Sequence, residues 1–557
     1  MWYYSAKVLS KCWNWRLHWR SAVSKLRKSP SYFRLGNMAH PKCHISQKQQ
    51  NIFSGCCVIV CGCQNPIHAG IVVMSEVQQV LWGLIPAAGK GSRAVPYTEN
   101  QHKALLNING VPNIERIITI MRDDLAITDI VIVIGHLGEQ IQRQLGDGER
   151  LRVRLHYVVN DALEKGWAWS VLLAKKYIST YFCVMLCDES YLSSNHAGLL
   201  RAPWQDALFT CAGLKVDDEN LIKRNYAITE KDGYLQSLIE KPNTIVNDIM
   251  GSGTFLCSPE IFAFIELAFE RHKAAIDFVS LLNDLLQAGE RGRFFQLAGT
   301  YVNINDRDSL ALARYHDRDL HFANNRKALL IYAEGDEESI AFTLERYRET
   351  ALFDEIFVVL PDSSVIQRRA SDAGAQLIVC PAGCVLYGEK LRYALQRIQA
   401  DIVVLTEADY SFSARDVAKL FAYLRDADMV IGTRTTRQLI EQGSTMRGAV
   451  RIAHTALGKL VEMLWWDREA RFTDTGCTLR AFWRSTWDAI APDLNAKGPA
   501  FSVEMMIACL DTRLRVLEIP VNYFNRSTSQ IRAYRNPKAF WEFLLLIFKK
   551  RFKAFDR

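Results

Sequence analysis

Residues 84–110 read LIPAAGKGSRAVPYTENQHKALLNING. An apolar run gives way to Ala87-Ala88-Gly89-Lys90-Gly91-Ser92-Arg93, and Lys103 follows ten residues later. A strand that ends in a glycine-rich turn presents successive backbone N–H groups. These bind anions, and the glycines let a phosphate approach closely. Arg93 and Lys103 bring two full positive charges to the same place, the guanidinium with bidentate geometry. Ala88, Gly89, Gly91 and Ser92 with these two cations suit the binding of a polyphosphate. Asp188 follows the apolar run YFCVMLC at 181–187. A carboxylate at the carboxyl edge of a strand reaches a ligand in the cleft. It can also hold Mg2+, which prefers a few carboxylates plus phosphate oxygens. Glu407-Ala408-Asp409 ends a later apolar run, 401–406. Alternate residues of a strand point to one side, so both carboxylates could face one divalent ion on a diphosphate.

The elements that must position these groups alternate along the chain. Strand-like runs fall at 81–88, 129–136, 152–159 and 181–187, with helical stretches at 112–125 and 168–179 between them. Charges and asparagines at 319–327 read as a linker. The alternation then restarts at 328–333, 355–361, 375–381, 401–406, 428–434 and 514–521. Such alternation predicts an α/β protein with two Rossmann-like domains and mainly parallel central sheets. The expected divisions are an extension at 1–73, a first domain at 74–318, a second at 328–535, and a C-terminal tail at 536–557.

A chain of 557 residues with 49% hydrophobic and 23% charged residues has room for two or three domains. Its net charge of +8 is unevenly spread. Residues 1–73 contain ten Lys or Arg and no acid; the remainder carries 58 basic and 60 acidic side chains. The basic balance is therefore no argument for a nucleic-acid partner. The first segment also holds Cys12, Cys43, Cys56, Cys57, Cys61 and Cys63 in a spacing that matches no standard zinc pattern. It reads as an upstream translation artefact or a disordered extension, since Met74 opens an ordinary start; its acid-free, arginine-containing composition also suits a transit peptide. The other eight cysteines are scattered and read as reduced core residues. No apolar run approaches the roughly 18 residues of a membrane span. A cytoplasmic location is expected, with peripheral contact at the inner face of the membrane.

The first motif resembles the nucleoside-triphosphate transferase family, which comprises the sugar-1-phosphate nucleotidyltransferases and related cytidylyltransferases. Ala87, Ala88, Gly89, Gly91, Arg93, Pro96, Thr98, Lys103, Gly110 and Pro112 fit its fingerprint; His102 stands where the family usually has proline. The resemblance implies that Arg93 and the 89–92 backbone hold a nucleoside triphosphate and that Lys103 meets the reacting phosphates. Asp188 would hold Mg2+, with Asn303 as second ligand. Gly166 and Trp167 would lie against the base, and Glu240 and Lys241 of Glu-Lys-Pro would touch the acceptor phosphate. CTP, UTP or dTTP would be the donor. The acceptor would be a sugar 1-phosphate, or a phospho-alcohol such as phosphocholine or inositol phosphate.

The second half resembles family 2 glycosyltransferases of the GT-A fold, of the polyprenyl-phosphate mannose synthase type, over about 328–535. FTDTGCTLRAFWR at 472–484 and LEIPVNYFNRSTSQ at 517–530 carry that resemblance together with Glu407 and Asp409. It implies Glu407 and Asp409 as ligands of Mg2+ or Mn2+ and Asp474 as a catalytic acid on the acceptor side. Asp362 would contact the nucleoside of a nucleotide sugar, and Arg434, Arg447, Arg526 and Ser529 its diphosphate. The acceptor would be a polyprenyl phosphate or a glycan. The opening strand lacks the family's Pro-x-x-Asn-Glu and the next keeps one aspartate of two, which leaves a non-catalytic binding role open for this half. The tail AFWEFLLLIFKKRFKAFDR at 539–557 reads either as a helix on an anionic membrane surface or as a helix docked on the core.

Overall fold

The computed structural model describes residues 81–557 apart from 92–97, 99, 203, 273, 335–337, 362–363, 442–445, 447, 469–470, 525–536 and 554–557. The N-terminal extension, Ser92, Arg93, Asp362, Arg447, Arg526 and Ser529 therefore lie outside the described residues. The chain divides into two compact units, Met1–Leu106 with Pro112–Asp306, and Asn107–Val111 with Arg307–Arg557.

The first unit is built on β1 (Trp82–Ala87), α1 (Asn113–Asp123), β2 (Asp129–Ile134), α2 (Gly138–Leu145), β3 (Arg154–Val159), α3 (Trp167–Leu173) and β4 (Phe182–Met185). After them come β5 (Glu189–Leu192), β6 (Phe209–Lys215), β7 (Tyr226–Lys231), β8 (Tyr234–Glu240), β9 (Ile249–Cys257), α4 (Phe278–Gln287), β10 (Gly292–Gln296) and β11 (Thr300–Asn303). Nine strands form one sheet in the order β3-β2-β1-β4-β9-β6-β10-β8-β7, and β5 pairs with β11 in a small second sheet. β1, β2, β3 and β4 run parallel; β9 lies antiparallel to β4 and β6. The continuous apolar character of β2, buried at every residue, is that of a strand covered on both faces.

The sheet is thus mixed, where alternation alone predicted mainly parallel pairing. The physical reason is that β7 and β8 have no helix between them. Asp232 and Gly233 take φ of 53° and 78°, the two positive values of a type I′ turn, and fold the strands into a hairpin. The Asp-Gly pair is a sequence signal for that hairpin.

The second unit contains β12 (Lys327–Tyr332), β13 (Glu355–Leu360), β14 (Gln376–Val379), α5 (Tyr387–Leu395), β15 (Ile402–Glu407), β16 (Met429–Thr433), α6 (Gly448–Leu464), β17 (Arg480–Trp483), α7 (Ala500–Asp511), β18 (Val516–Pro520) and α8 (Pro537–Lys553). Its sheet has the order β14-β13-β12-β15-β17-β16-β18, with β17 antiparallel to both neighbours. Ranked by chain position, that is 3-2-1-4-6-5-7. The first seven strands of the nine-stranded sheet have the same order, with the same sixth strand reversed. The two units share a topology although their motifs differ.

Candidate active site

In the first unit the chain runs outward from β1 to β2 and β3, then returns to add β4 on the other side. The carboxyl ends of β1 and β4 therefore flank a crevice, the place where open α/β sheets bind ligands. A cavity of about 450 Å³ opens there. Ala88, Gly89, Lys90 and Gly91 line it from the turn after β1, and Lys103 and His102 from the following segment. Asn160, Gly166, Trp167 and Ser170 line it from the segment before and within α3, and Cys187 and Asp188 from the turn after β4.

The glycine-rich turn is held locally. Gly91 has φ of 61° and its Cα faces the Lys103 side chain, where an added Cβ would stand 3.1 Å from the Lys103 Cβ. The Thr98 hydroxyl donates to the Gly91 carbonyl at 2.9 Å. His102 keeps a proline-like φ of −64°. Its backbone N–H, which a proline would lack, donates to Gln140 Oε1 at 2.8 Å. Its imidazole accepts from Ala104 N–H at 3.1 Å, and burial lowers its pKa to about 4.

Asp188 is fixed through its neighbours. The Asn113 amide donates to the carbonyls of Cys187 and Glu189 at 3.0 and 2.8 Å, and Ile304 N–H donates to the Asp188 carbonyl at 2.8 Å. Glu189 turns inward, where it accepts from Gly253 N–H, the Tyr301 hydroxyl and the Tyr191 hydroxyl. Burial pushes its pKa up to about 7. The Asp188 carboxylate is left facing the cavity, where its Oδ2 accepts from Lys103 Nζ at 2.7 Å. Lys103 Nζ also donates to Asn305 Oδ1 at 3.0 Å. Two oxygens, one anionic and one amide, thus converge on a single cation.

Asn305 is the residue that sequence reading passed over in favour of Asn303. β11 pairs with β5 so that Asn303 stands opposite Glu189, and Asn305 lies two residues beyond. Asn303 Oδ1 accepts from Asn305 Nδ2 at 2.8 Å, and its Nδ2 donates to Asn225 Oδ1 at 3.1 Å. Asn303 therefore backs Asn305; neither lines the cavity, and Asn305 meets it through Lys103. Glu240 and Lys241 also lie outside the lining. They pair with each other at 3.3 Å, and Lys241 adopts φ of 43°.

Gly166 and Trp167 form one wall. At Gly166, with φ of 84°, an added Cβ would lie 2.5 Å from the Ile276 carbonyl oxygen, so only glycine fits. The Trp167 indole N–H donates to Asp277 Oδ2 at 2.7 Å and the ring stands edge-on to Phe278 at 4.8 Å. It is both a cavity wall and an anchored aromatic. Trp169 instead packs on Phe269, under the Lys165 ammonium.

In the second unit β12 and β15 stand at the same turning point of the strand order. Glu407 ends β15 beside Tyr332, and Asp409 follows, its Oδ1 accepting from Ser411 N–H at 3.0 Å; both acids are buried. Glu334, after β12, pairs with the buried Lys390 of α5 at 3.2 Å. Lys390 has no counterpart in the sequence expectations. Asp474 and Arg434 are bound to each other. Arg434 donates through Nε, Nη2 and its backbone N–H to the Asp474 carboxylate at 2.7, 2.8 and 3.0 Å, both side chains fully buried. The adjacent Arg434 charge holds the Asp474 pKa down at about 2 against the effect of burial. Asp474 and Arg434, expected on the acceptor side and at the diphosphate, thus meet each other in one buried ion pair.

Among the described residues, no cluster of three or more His, Cys, Asp or Glu could hold a metal ion by itself.

Residues 82–315 match the nucleotidyl transferase family. The UTP–glucose-1-phosphate uridylyltransferase AglF of Haloferax volcanii is 25% identical over 40% of this chain and 93% of its own length. The low-salt glycan biosynthesis hexosyltransferase Agl6 of the same organism is 24% identical over 34% of this chain and 45% of its own. Choline-phosphate cytidylyltransferase of Haemophilus influenzae is 49% identical over 59 residues, 11% of this chain and 25% of its own. The chain spans about half the length of several curated relatives that it matches. With the cavity, the glycine-rich turn and the Lys103–Asp188 pair in place, residues 82–315 form a nucleotidyl transferase domain.

Proposed function

We propose that the first unit transfers a nucleotidyl group from a nucleoside triphosphate to a sugar 1-phosphate and releases pyrophosphate. The observation that carries this reading is the meeting of Lys103, Asp188 and Asn305 beside the glycine-rich turn. The acceptor phosphate oxygen attacks the α-phosphorus, and the bond to pyrophosphate breaks. No covalent enzyme intermediate is needed, so the protein contributes alignment and neutralisation of phosphate charge. The 89–91 backbone holds the triphosphate, with Ser92 and Arg93 assigned to it by the sequence motif. Lys103 leaves Asp188 to meet the reacting phosphates. Asp188 and Asn305, whose oxygens already face one cation, would hold Mg2+, which supplies Lewis-acid stabilisation of the phosphate charge when bound. Trp167 and Gly166 bound the base. Glu240 and Lys241 contact the acceptor phosphate.

Similarity to AglF supports a sugar 1-phosphate acceptor. The local similarity to choline-phosphate cytidylyltransferase favours a second reading, a phospho-alcohol acceptor with CTP. The test is pyrophosphate release by the full chain with Mg2+, crossing CTP, UTP, dTTP, GTP and ATP with sugar 1-phosphates and phospho-alcohols. Release with one sugar phosphate supports the first reading, and release with CTP and phosphocholine alone supports the second. No release from folded protein overturns both and leaves a binding role.

For the second unit we propose glycosyl transfer from a nucleotide sugar to a lipid phosphate or glycan, with Glu407 and Asp409 holding Mg2+ or Mn2+. The shared 3-2-1-4-6-5-7 strand order, the acid-x-acid at a strand end and the similarity to Agl6 support it. Transfer of radiolabelled sugar from the first unit's product to a polyprenyl phosphate, abolished by Asp409→Asn, is the expected result. Unchanged transfer by Asp409→Asn sinks this assignment.

A further inference from the structure

Helix α8 presents apolar side chains on two opposite faces. Inward, Phe543 and Ile547 are buried in the core of the second unit. Lys550 Nζ pairs with the buried Glu504 at 2.8 Å and donates to the Asp493 carbonyl at 2.8 Å, while the Arg551 guanidinium lies 5.7 Å from the Trp465 ring centre. These contacts fix the rotation of the helix. Outward stand Trp541, Leu545, Phe548 and Phe552, spaced by four, three and four residues and so aligned on one line of the helix surface. Their exposures are 59, 66, 36 and 59%. Helix α6, which packs beside α8, carries exposed Ile452 and Met463 of its own, and Trp466 beyond its end is 75% exposed. Large apolar side chains concentrated in this way mark an interaction surface.

Charge selects the occupant. Residues 538–553 hold five Lys or Arg against one acid, Glu542. Lys550 and Arg551 turn to the second unit, and Lys549 stays exposed beside the apolar line. The helix has only seventeen residues, and no described helix is long and apolar enough to cross a membrane. Tryptophan and phenylalanine in a line with flanking cations is the composition that settles at the headgroup boundary of a bilayer.

We propose that the outer face of α8 rests on a bilayer surface that contains anionic phospholipid. Trp541, Leu545, Phe548 and Phe552 enter the boundary region, and Lys549 meets lipid phosphate. This docking depends on neither transfer reaction.

The test is flotation of the full chain with vesicles of phosphatidylcholine alone or mixed with phosphatidylglycerol. Wild-type protein should float with the mixed vesicles, and added salt should weaken the association. The variant Trp541→Ser/Leu545→Ser/Phe552→Ser should lose binding about tenfold, and Lys549→Glu about fivefold. Circular dichroism and an unchanged denaturant melt would show that both variants remain folded. Absence of binding to mixed vesicles, or equal binding by the triple serine variant, overturns the proposal. So does a wild-type chain that ignores vesicles yet dimerises through residues the serine variant lacks.

Discussion

The ammonium of Lys103 and the carboxylate of Asp188 lie 2.7 Å apart although 85 positions separate them in the chain. The fold brings the two together because β1 and β4 are neighbours in the sheet, which places the turns that follow them on either side of one crevice. Lys103→Ala removes the ammonium that this carboxylate holds. Pyrophosphate release should fall by about 100-fold or more, the usual loss of one preorganised electrostatic contact. The thermal melt should stay close to wild type. An unchanged rate would remove Lys103 from the reaction.

Asn305 and Asn303 separate by their dependence on Mg2+. Asn305 faces the same cation as Asp188, and Asn303 stands behind it. Asn305→Ala should raise the Mg2+ concentration for half-maximal pyrophosphate release by about tenfold or more, and Asn303→Ala by less. The reverse ranking would restore Asn303 as the ligand.

These two asparagines also mark how far the sequence could be read. The glycine-rich turn, Lys103 and Asp188 were legible because each is a local pattern: apolar run, turn, charged residue. The choice between Asn303 and Asn305 was not, because alternate residues of an extended segment point the same way. Which one reaches Lys103 depends on the register of β11 against β5, a tertiary fact. Asp277, which orients Trp167 from 110 positions away, left no local trace. Asp474 was readable as a candidate acid, but its capture by Arg434 across 40 positions was not. Strand runs were read to within a few residues, as at 129–136 against Asp129–Ile134, because burial on both faces imposes an apolar run. The reversed sixth strands escaped, since strand direction leaves no mark in an apolar run.

Gly166→Ala forces a Cβ to within 2.5 Å of the Ile276 carbonyl, at a φ that side chains avoid. The variant should lose about 1–3 kcal/mol of stability in urea melts. Because the same segment carries Trp167, the KM for the triphosphate should rise as well. Wild-type stability would mean that the 276–277 segment moves away freely.

Asp474→Ala leaves the buried Arg434 guanidinium without its carboxylate. The expected cost is about 3–5 kcal/mol, read as an early unfolding transition in denaturant. A variant that melts like wild type would show that the ion pair is dispensable.

His196 makes stability depend on pH. It is fully buried, its ring nitrogens bonded to Ser194 at 2.7 Å and Thr254 at 3.3 Å, and burial lowers its pKa from 6.5 to about 4. The unfolded chain takes up a proton near pH 6.5 that the folded chain refuses until about pH 4. Its contribution is therefore complete above pH 6.5 and is lost as the pH falls toward 4, by at most about 1.4 kcal/mol per pH unit. Thermal melts of wild type and His196→Asn between pH 7 and 4.5 should converge at the acid end. Parallel curves would exclude this histidine as a source of acid sensitivity.

The docked inner face of α8 has a consequence for anyone who shortens or tags this protein. Cutting the chain before residue 537 would uncover the seats of Phe543 and Ile547 and strip Glu504 of the Lys550 ammonium. A buried carboxylate left in that state would have to draw in water or a proton. The last helix therefore acts as a stopper: its removal, however convenient for expression, should turn a stable unit into a sticky one.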